Sequence, residues 1–562
     1  MSNTARRTSI TYPNGRVVNL AYGAGDSIED SFSLVKSVAL SGESGNKVEY
    51  TRAGLARFIE IAYPQPNVKM SMIRPGGGSM GDSGDPYDGY DRFSRVQEMR
   101  WQSVSTGTPI DAWQWGFNEA SNRTWKKNLV AATGQDEAYQ YDGLYQVKGD
   151  AVGTLNTNRT AIGGTPKEDE TFTYDPVGNW LAYQKKANGS PVLDQTRSNN
   201  RDNQLTQIDG SSQAIEYDRA GNAIKIRPGA GGDWSKHFTL VWDAWNRLVE
   251  VKDENGVTVQ KNAFDGLSRR ITTESASVVT HTYWSDRWKP LEERIGSATT
   301  ASRSYLWGER PGHRDELILR DRDTDGNGTL DERLYATMDY FNGTAVLNTS
   351  GTILERYAYA AFGVRRIMAA DFSPRSTSSY AWDFGFQGQF RDAETGWGNY
   401  GYRFYVAVLG RWINRDPIAD SGGDNLYGFV GNNGLNAVDY LGLFLTGCSA
   451  DPCADLIRIY NEACNEFKQS KDELEALLSK ADSEFQRRIQ AAGLPHPSQR
   501  TPEQQALAGR IRREVYNPIA PEASRLQDIE YEKSRELNSL SERLRNKKCP
   551  FTECDKGLKK LG

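Results

Sequence analysis

A short theme recurs along the first half of the chain: an aromatic residue, an aspartate, two or three turn-forming residues, Asn or Arg, then an apolar residue. It reads Tyr90-Asp91-Arg92-Phe93-Ser94-Arg95-Val96, Tyr141-Asp142-Gly143-Leu144-Tyr145-Gln146-Val147, Tyr174-Asp175-Pro176-Val177-Gly178-Asn179-Trp180 and Tyr217-Asp218-Arg219-Ala220-Gly221-Asn222-Ala223. Trp242-Asp243 and Phe264-Asp265 open weaker copies, and degenerate ones begin at 117, 199 and 283. The spacing is about 20–25 residues, the range of stacked repeats. Asp-x-x-Gly-Asn tolerates left-handed backbone, and flanks such as Leu248-Val249-Glu250-Val251-Lys252 alternate apolar with polar. Each unit therefore predicts a β-hairpin. One hairpin cannot bury its own face, so successive hairpins must lie side by side in a long sheet. Such a sheet has to curl or close to protect its edges. On this reading each Tyr-Asp pair is structural.

Composition changes near residue 443. All 14 Trp precede that point, while all five Cys and only five of the 54 Gly follow it. The first part favours strands; the second, rich in Glu, Arg, Lys, Leu and Ala, favours helices. The net charge of −5 gives no general basic field, so no nucleic-acid partner is expected. Mean hydropathy is −0.67, and no apolar run approaches the ~18 residues that would mark a transmembrane helix. The start, Met1-Ser2-Asn3-Thr4-Ala5-Arg6-Arg7, has no apolar stretch of the signal-peptide kind. A chain secreted or held at the cell surface would then use another route or a longer precursor.

The tyrosine-aspartate units resemble those of RHS/YD-repeat proteins, a group that includes polymorphic toxins and shells like those of teneurins. The stretch 334–443 resembles the RHS-repeat-associated core. The residues that carry this are Arg356-Tyr357-Ala358-Tyr359-Ala360-Ala361-Phe362-Gly363, Phe386-Gln387-Gly388-Gln389 and Asp392-Ala393-Glu394-Thr395-Gly396. Tyr402-Arg403-Phe404-Tyr405, Gly410-Arg411-Trp412-Ile413-Asn414-Arg415-Asp416-Pro417, Asn425-Leu426-Tyr427, Asn432-Asn433 and Asp439-Tyr440-Leu441-Gly442-Leu443 complete the set. The resemblance implies a mainly β protein whose hairpins wind into a curved, hollow shell over 1–333. A core over 334–443 would plug the shell, and a small α-helical C-terminal domain over 444–562 would be its cargo.

The resemblance also implies self-cleavage by two aspartates with an upstream arginine. Asp416 and Asp439 match the aspartates and Arg403 the arginine. The cut would fall between Leu443 and Phe444, where the composition changes. A carboxylate pair suits this chemistry: one ionised member activates water and one protonated member donates a proton, their pKa values split by burial and proximity. The bond is tethered in the same chain, so a weak catalyst acting once suffices. Asp before Pro is also an ordinary turn starter, Asp439 can cap a loop, and Arg403 can serve as an ion-pair partner. Ala419 stands where the family usually has Gly, and Gly434 and Tyr440 where it usually has Pro. Tyr440 adjoins Asp439 and so bears on the geometry of the cleavage loop.

No cofactor is required by this reading. One segment has the oxygen spacing of a calcium loop: Asp323, Asp325, Asn327 and Asp331 fall at positions 1, 3, 5 and 9, with Gly328 at 6. Leu334 stands at position 12, where a bidentate Glu is expected, so an acidic inter-repeat turn is the other reading. Gly76-Gly77-Gly78-Ser79-Met80-Gly81 matches glycine-rich and nucleophile-elbow patterns without the strand and helix that would support either. Gly81-Asp82-Ser83-Gly84 resembles a serine-protease nucleophile, but all four histidines (His237, His281, His313, His496) lie downstream of it. The stretch 74–89 reads as an inter-repeat loop.

In the tail, apolar spacing predicts helices over 452–491, 502–516 and 521–547, broken by Gly493-Leu494-Pro495-His496-Pro497 and by Asn517-Pro518. An antiparallel hairpin would bring Cys448, Cys453 and Cys464 near Cys549 and Cys554, which allows two disulfides and a spare thiol; a Cys₄ zinc site is the alternative. No enzyme constellation appears here.

The expected molecule is an RHS-type shell protein that encloses its own C-terminal segment and cuts it after Leu443. Residues 1–443 are few for a closed family shell, which implies an open fragment or an N-terminal partner that completes it. An immunity protein is a further expected partner. The alternative is a non-enzymatic surface or adhesion protein that binds a receptor or carbohydrate, with the tail as a helical cap.

Overall fold

The structure, a computed structural model, describes residues 6–25, 27–53, 57–73, 89–227, 236–309, 316–339, 341–447 and 452–526. The glycine-rich motifs at 76–84 lie outside the described residues. So do Cys448, Cys549, Cys554 and residues 527–547 of the helix expected over 521–547.

The recurring motif builds one turn over and over. In most copies the aspartate carboxylate accepts two backbone N–H groups, and in the Asp218 copy it accepts the backbone N–H and the side-chain amide of Asn222. Asp91 takes those of Phe93 and Arg95, both at 2.9 Å. Asp142, Asp175, Asp243 and Asp265 repeat the pair. Asn200 and Ser285 replace the aspartate in degenerate copies. The third residue after the cap takes positive φ: 81° at Gly178 and 88° at Gly221, but also 63° at Tyr145 and 59° at Trp288. The hydrogen bonds of the cap side chain, the Asp142 carboxylate or the Ser285 hydroxyl, hold that conformation where no glycine is present.

The aromatic residue clamps its repeat to the one before. Tyr90 donates its hydroxyl to the Phe58 carbonyl (2.9 Å) and Tyr141 to that of Arg123 (2.6 Å). The indole N–H groups of Trp242 and Trp284 do the same to Ala223 (2.6 Å) and Arg270 (2.8 Å). The residue that ends the turn reaches forward: Asn179 to Asn203 and Asn222 to Asn246, both at 2.8 Å, and Arg247 to the Asp265 carbonyl at 3.0 Å. The Tyr-Asp pair is thus a stapling device between hairpins.

Stacked in this way the repeats form two sheets of 15 strands each, and every strand pairs with its successor. The first runs from Ser9–Thr11 to Leu205–Ile208, the second from Ile215–Tyr217 to Pro374–Arg375. All pairings are antiparallel, as hairpins require. The mainly β architecture is therefore as the repeats predict. The second sheet passes through position 333/334 without a break, because strand Glu332–Met338 pairs on both sides.

The two sheets share a core. Val18, Val38, Tyr63 and Trp101 of the first pack with Leu306, Ile318, Leu319 and Tyr335 of the second. Beyond the second sheet the chain forms a four-stranded sheet (Phe390–Arg391, Gly398–Asn399, Phe404–Val406, Arg411–Trp412) and a hairpin of Ala437–Tyr440 with Phe444–Gly447. This region fills against the repeats. Tyr400, Tyr405, Trp412 and Phe429 pack on Phe172, Trp180 and Tyr183, and Phe404 and Ile413 pack on Leu205, Leu240 and Val251.

The chain divides into two compact units, Met1–Ala450 and Asp451–Gly562. The division lies beyond Leu443, because Phe444–Gly447 is paired into the first unit. The second unit has a helix Pro452–Ala491 and a helix Pro502–Tyr516, the latter opened by a capping box between Thr501 and Gln504. Ala481, Ile489, Ala508, Ile511 and Val515 form its core. Helix continues over 520–526. Cys453 and Cys464 lie on the first of these helices.

Candidate active site

Three elements deliver the site. Arg403 precedes strand Phe404–Val406, Asp416 leads into the turn Ala419–Gly422, and Asp439 lies in strand Ala437–Tyr440. The packing of Tyr400, Trp412 and Phe429 beneath them fixes their relative positions. Arg403 is 2% exposed, and its guanidinium lies over the Trp412 ring, 4.2 Å from the centroid.

Arg403 bridges the two carboxylates. Its Nη2 lies 2.7 Å from Asp416 Oδ2 and 3.3 Å from Asp439 Oδ2. Its Nε donates to the Gly442 carbonyl at 2.5 Å and its Nη1 to the Leu426 carbonyl at 3.3 Å. One cation therefore grips both acids and the peptide unit next to Leu443. Asp439 Oδ1 accepts the Leu443 N–H at 2.8 Å, and Asp416 Oδ1 accepts the Ile418 N–H at 3.0 Å.

Electrostatics set Asp416 and Arg403 in tension with their burial. Burial raises the Asp416 carboxyl above the ordinary aspartate value, and Arg403 partly offsets this. Burial likewise pulls the Arg403 guanidinium below its usual value, against the two carboxylates. A buried acid that holds its proton longer, beside a second carboxylate and a peptide carbonyl, has the parts of an acid–base pair.

Gly422 completes the arrangement and was not singled out by the motifs. A β-carbon placed there would collide with Asp416 Oδ2 and come within 3.2 Å of the Leu443 carbonyl oxygen. That close approach puts the Asp416 carboxyl and the Leu443 carbonyl on the same side of the Gly422 backbone. The sequence signal was the small-residue run Ser421-Gly422-Gly423 after Asp416-Pro417. Leu443 and Phe444 flank the bond at the end of the loop that joins Ala437–Tyr440 to Phe444–Gly447.

The family departures have local readings. Ala419 has φ of 50°, the left-handed region where glycine is at ease. A β-carbon at Gly434 would lie 2.8 Å from the Ala361 carbonyl oxygen. Tyr440 occupies a ladder position opposite Phe444 and keeps the amide N–H that proline lacks.

The calcium-loop residues are turned onto their own loop. Asp323 accepts the N–H groups of Gly326 and Gly328, both at 2.8 Å, Asp325 that of Asn327 at 3.1 Å, and Asp331 that of Thr324 at 2.8 Å. The Asn327 carboxamide oxygen accepts from Thr329 N–H at 2.8 Å. Among the described residues no group of three His, Cys, Asp or Glu side chains is placed to hold a metal ion. A cavity of about 490 Å³ opens beside the second sheet, lined in part by Arg270, Trp284, Arg303, Asp383 and Asp392. Arg403, Asp416 and Asp439 take no part in it.

No protein-family model matches the chain. Among curated proteins it is similar to toxin subunit YenC1 of Yersinia entomophaga, 25% identical, covering 76% of this chain and 45% of that one. Toxin subunit YenC2 of the same organism is 23% identical, over 63% of this chain and 39% of the relative. A probable deoxyribonuclease, RhsB, of Dickeya dadantii (strain 3937) is 25% identical, over 60% and 23%. The chain thus spans less than half the length of these relatives. Among solved structures, the TcdB2-TccC3-TEV crystal structure superposes with a TM-score of 0.59 at 18% identity, covering 78% of this chain and 21% of that chain. A Tc holotoxin pore of Photorhabdus luminescens gives the same score and coverage. The fold of the repeats and core is that of these toxin shells.

Proposed function

We infer that the chain, an RHS-repeat protein with the fold of a toxin shell, cuts itself once between Leu443 and Phe444 and so separates a C-terminal effector from its shell. The observation that carries this reading is the convergence of Arg403, Asp416, Asp439 and the Leu443 peptide, delivered by three separate elements, in one buried site. Asp439, beside Arg403, is the carboxylate that takes a proton from water. Asp416, raised by burial, is the acid that protonates the Leu443 carbonyl oxygen; as the tetrahedral intermediate collapses it takes that proton back, and Asp439 passes the proton taken from water to the departing Phe444 nitrogen. The N–H of Leu443 held on Asp439 and the Gly442 carbonyl held on Arg403 fix the peptide's orientation. The relatives are named as toxin subunits and a probable deoxyribonuclease, which supports reading the tail of this chain as an effector whose delivery is completed by subunits outside it. Export from the cell, an immunity partner and calcium at Asp323, Asp325, Asn327 and Asp331 stand as further parts of this proposal.

Intact mass under denaturing conditions tests it. The wild type should give two species, the smaller beginning at Phe444, and Asp416→Asn or Asp439→Asn should give one. A single intact species from the wild type would falsify the reading. The cut should also slow as pH rises through the raised Asp416 value, because the donor must carry its proton. A rate that instead climbs with pH over that range assigns Asp416 another role.

A further inference from the structure

The residues just past the expected cut do not leave the first unit. Phe444–Gly447 runs antiparallel to Ala437–Tyr440, with Tyr440 opposite Phe444, Asp439 opposite Leu445, Val438 opposite Thr446 and Ala437 opposite Gly447. Only Leu441, Gly442 and Leu443 join the two strands, the first two each with φ of 68°. The compact unit that holds the site extends to Ala450. The bond to be cut therefore closes a hairpin loop, and the hydrogen bonds of the hairpin lie wholly on either side of it.

We propose that the cut opens the covalent link without freeing the tail: Phe444–Gly447 stays on Ala437–Tyr440 as an added β-strand and remains the effector's non-covalent anchor. This rests on the self-cleavage reading and goes beyond it, since release becomes a second step that needs the strand to be unzipped. Hydrolysis consumes one water, breaks the Leu443–Phe444 C–N bond, and leaves a carboxylate on Leu443 and an α-ammonium on Phe444. Both changes fall at the Leu443–Phe444 junction, outside the register pairs of residues 445–447. The template strand is itself fixed from behind: the Ala437 carbonyl accepts from Gln387 Nε2 at 2.9 Å, and the Ala437 side chain is buried with Phe429 and Trp412. Recognition of this kind runs through main-chain groups, as when an extended peptide completes a sheet edge. The new ammonium appears opposite Tyr440, one register position from the Asp439–Leu445 pair.

Hydrogen exchange on the full-length protein, read by mass spectrometry, tests this. Denaturing mass analysis of the same sample first records whether the chain is cut, and the Asp416→Asn chain supplies the closed hairpin as reference. In the cut wild type the amides of 444–447 should exchange within about tenfold of that reference, and far more slowly than in a synthetic peptide of residues 444–450. Free-peptide rates in a cut chain overturn the anchor and leave self-cleavage standing. An uncut wild type overturns self-cleavage, and the anchor falls with it.

Discussion

At Arg403 a single guanidinium organises what three separate motifs contribute. It touches Asp416, Asp439 and the Gly442 carbonyl, and it is buried over Trp412. Arg403, Asp416 and Asp439 were legible through the resemblance to the RHS-repeat-associated core, whose arginine and two aspartates they match. Gly422 was not, because a glycine's contribution is the space it leaves. Gly422→Ala should slow the cut by about tenfold or more, since the added carbon must displace the Asp416 carboxyl. Gly422 does not have positive φ, so the variant's backbone is unstrained there. Intact mass followed over time, with a denaturation curve on the same variant, separates lost positioning from lost stability. A cut at wild-type rate removes Gly422 from the site.

The repeated turn shows why part of the wall could be read and part could not. Where the cap is aspartate, the aromatic-Asp pair announces the hairpin. Elsewhere the same backbone appears with other caps: Asn348 accepts from Ser350 and Thr352, and Ala360 makes the turn with no side-chain cap at all, through Ala360 N–H to Val364 and Gly363 N–H to Ala360. Main-chain hydrogen bonds there leave no mark in the sequence, so the strands before residue 73 and after 290 carried little signal. The capped turns make a clean prediction. Asp265 accepts from the N–H groups of Leu267 and Arg269 and from the Arg269 side chain. Asp265→Ala should cost about 1–2 kcal/mol in a denaturant titration, and Asp265→Asn, which keeps one acceptor, clearly less. Against a desolvation cost, the turn's N–H groups and Arg269 hold the Asp265 carboxyl below its usual value. Its contribution is therefore complete above the unfolded aspartate pKa and is lost as pH falls through the lowered one. Equal losses for the Ala and Asn variants would refute capping as its role.

Across the first unit the decisive joins are between residues that sequence cannot pair. Arg16 of the first sheet and Arg333 of the second both bind Asp321, 305 positions beyond Arg16, and Arg333 reaches back to Glu43. Tyr12 donates to the Tyr305 carbonyl at 2.8 Å, Trp101 to that of Met338 at 2.8 Å, and Arg356 meets Asp111 at 3.2 Å. Periodicity can forecast that hairpins stack; it carries no record of which hairpins meet after the wall turns back on itself. The shared core of Tyr63, Trp101 and Tyr335 makes the two sheets one folding unit rather than two. Removing Asp321 tests that claim. Asp321→Ala leaves Arg16 and Arg333 without their common buried counter-charge and should cost about 3–5 kcal/mol. Because the sheets share a core, that loss should appear in the exchange of amides in Arg57–Tyr63 of the first sheet as fully as in Leu317–Arg322 of the second. The Arg333 side chain, with Lys47, holds Glu43 down at about 2. This part of the seam is thus fully present above the unfolded glutamate value and weakens as pH falls toward 2. Protection lost from the second sheet alone would show two independently stable walls and end the single-unit account.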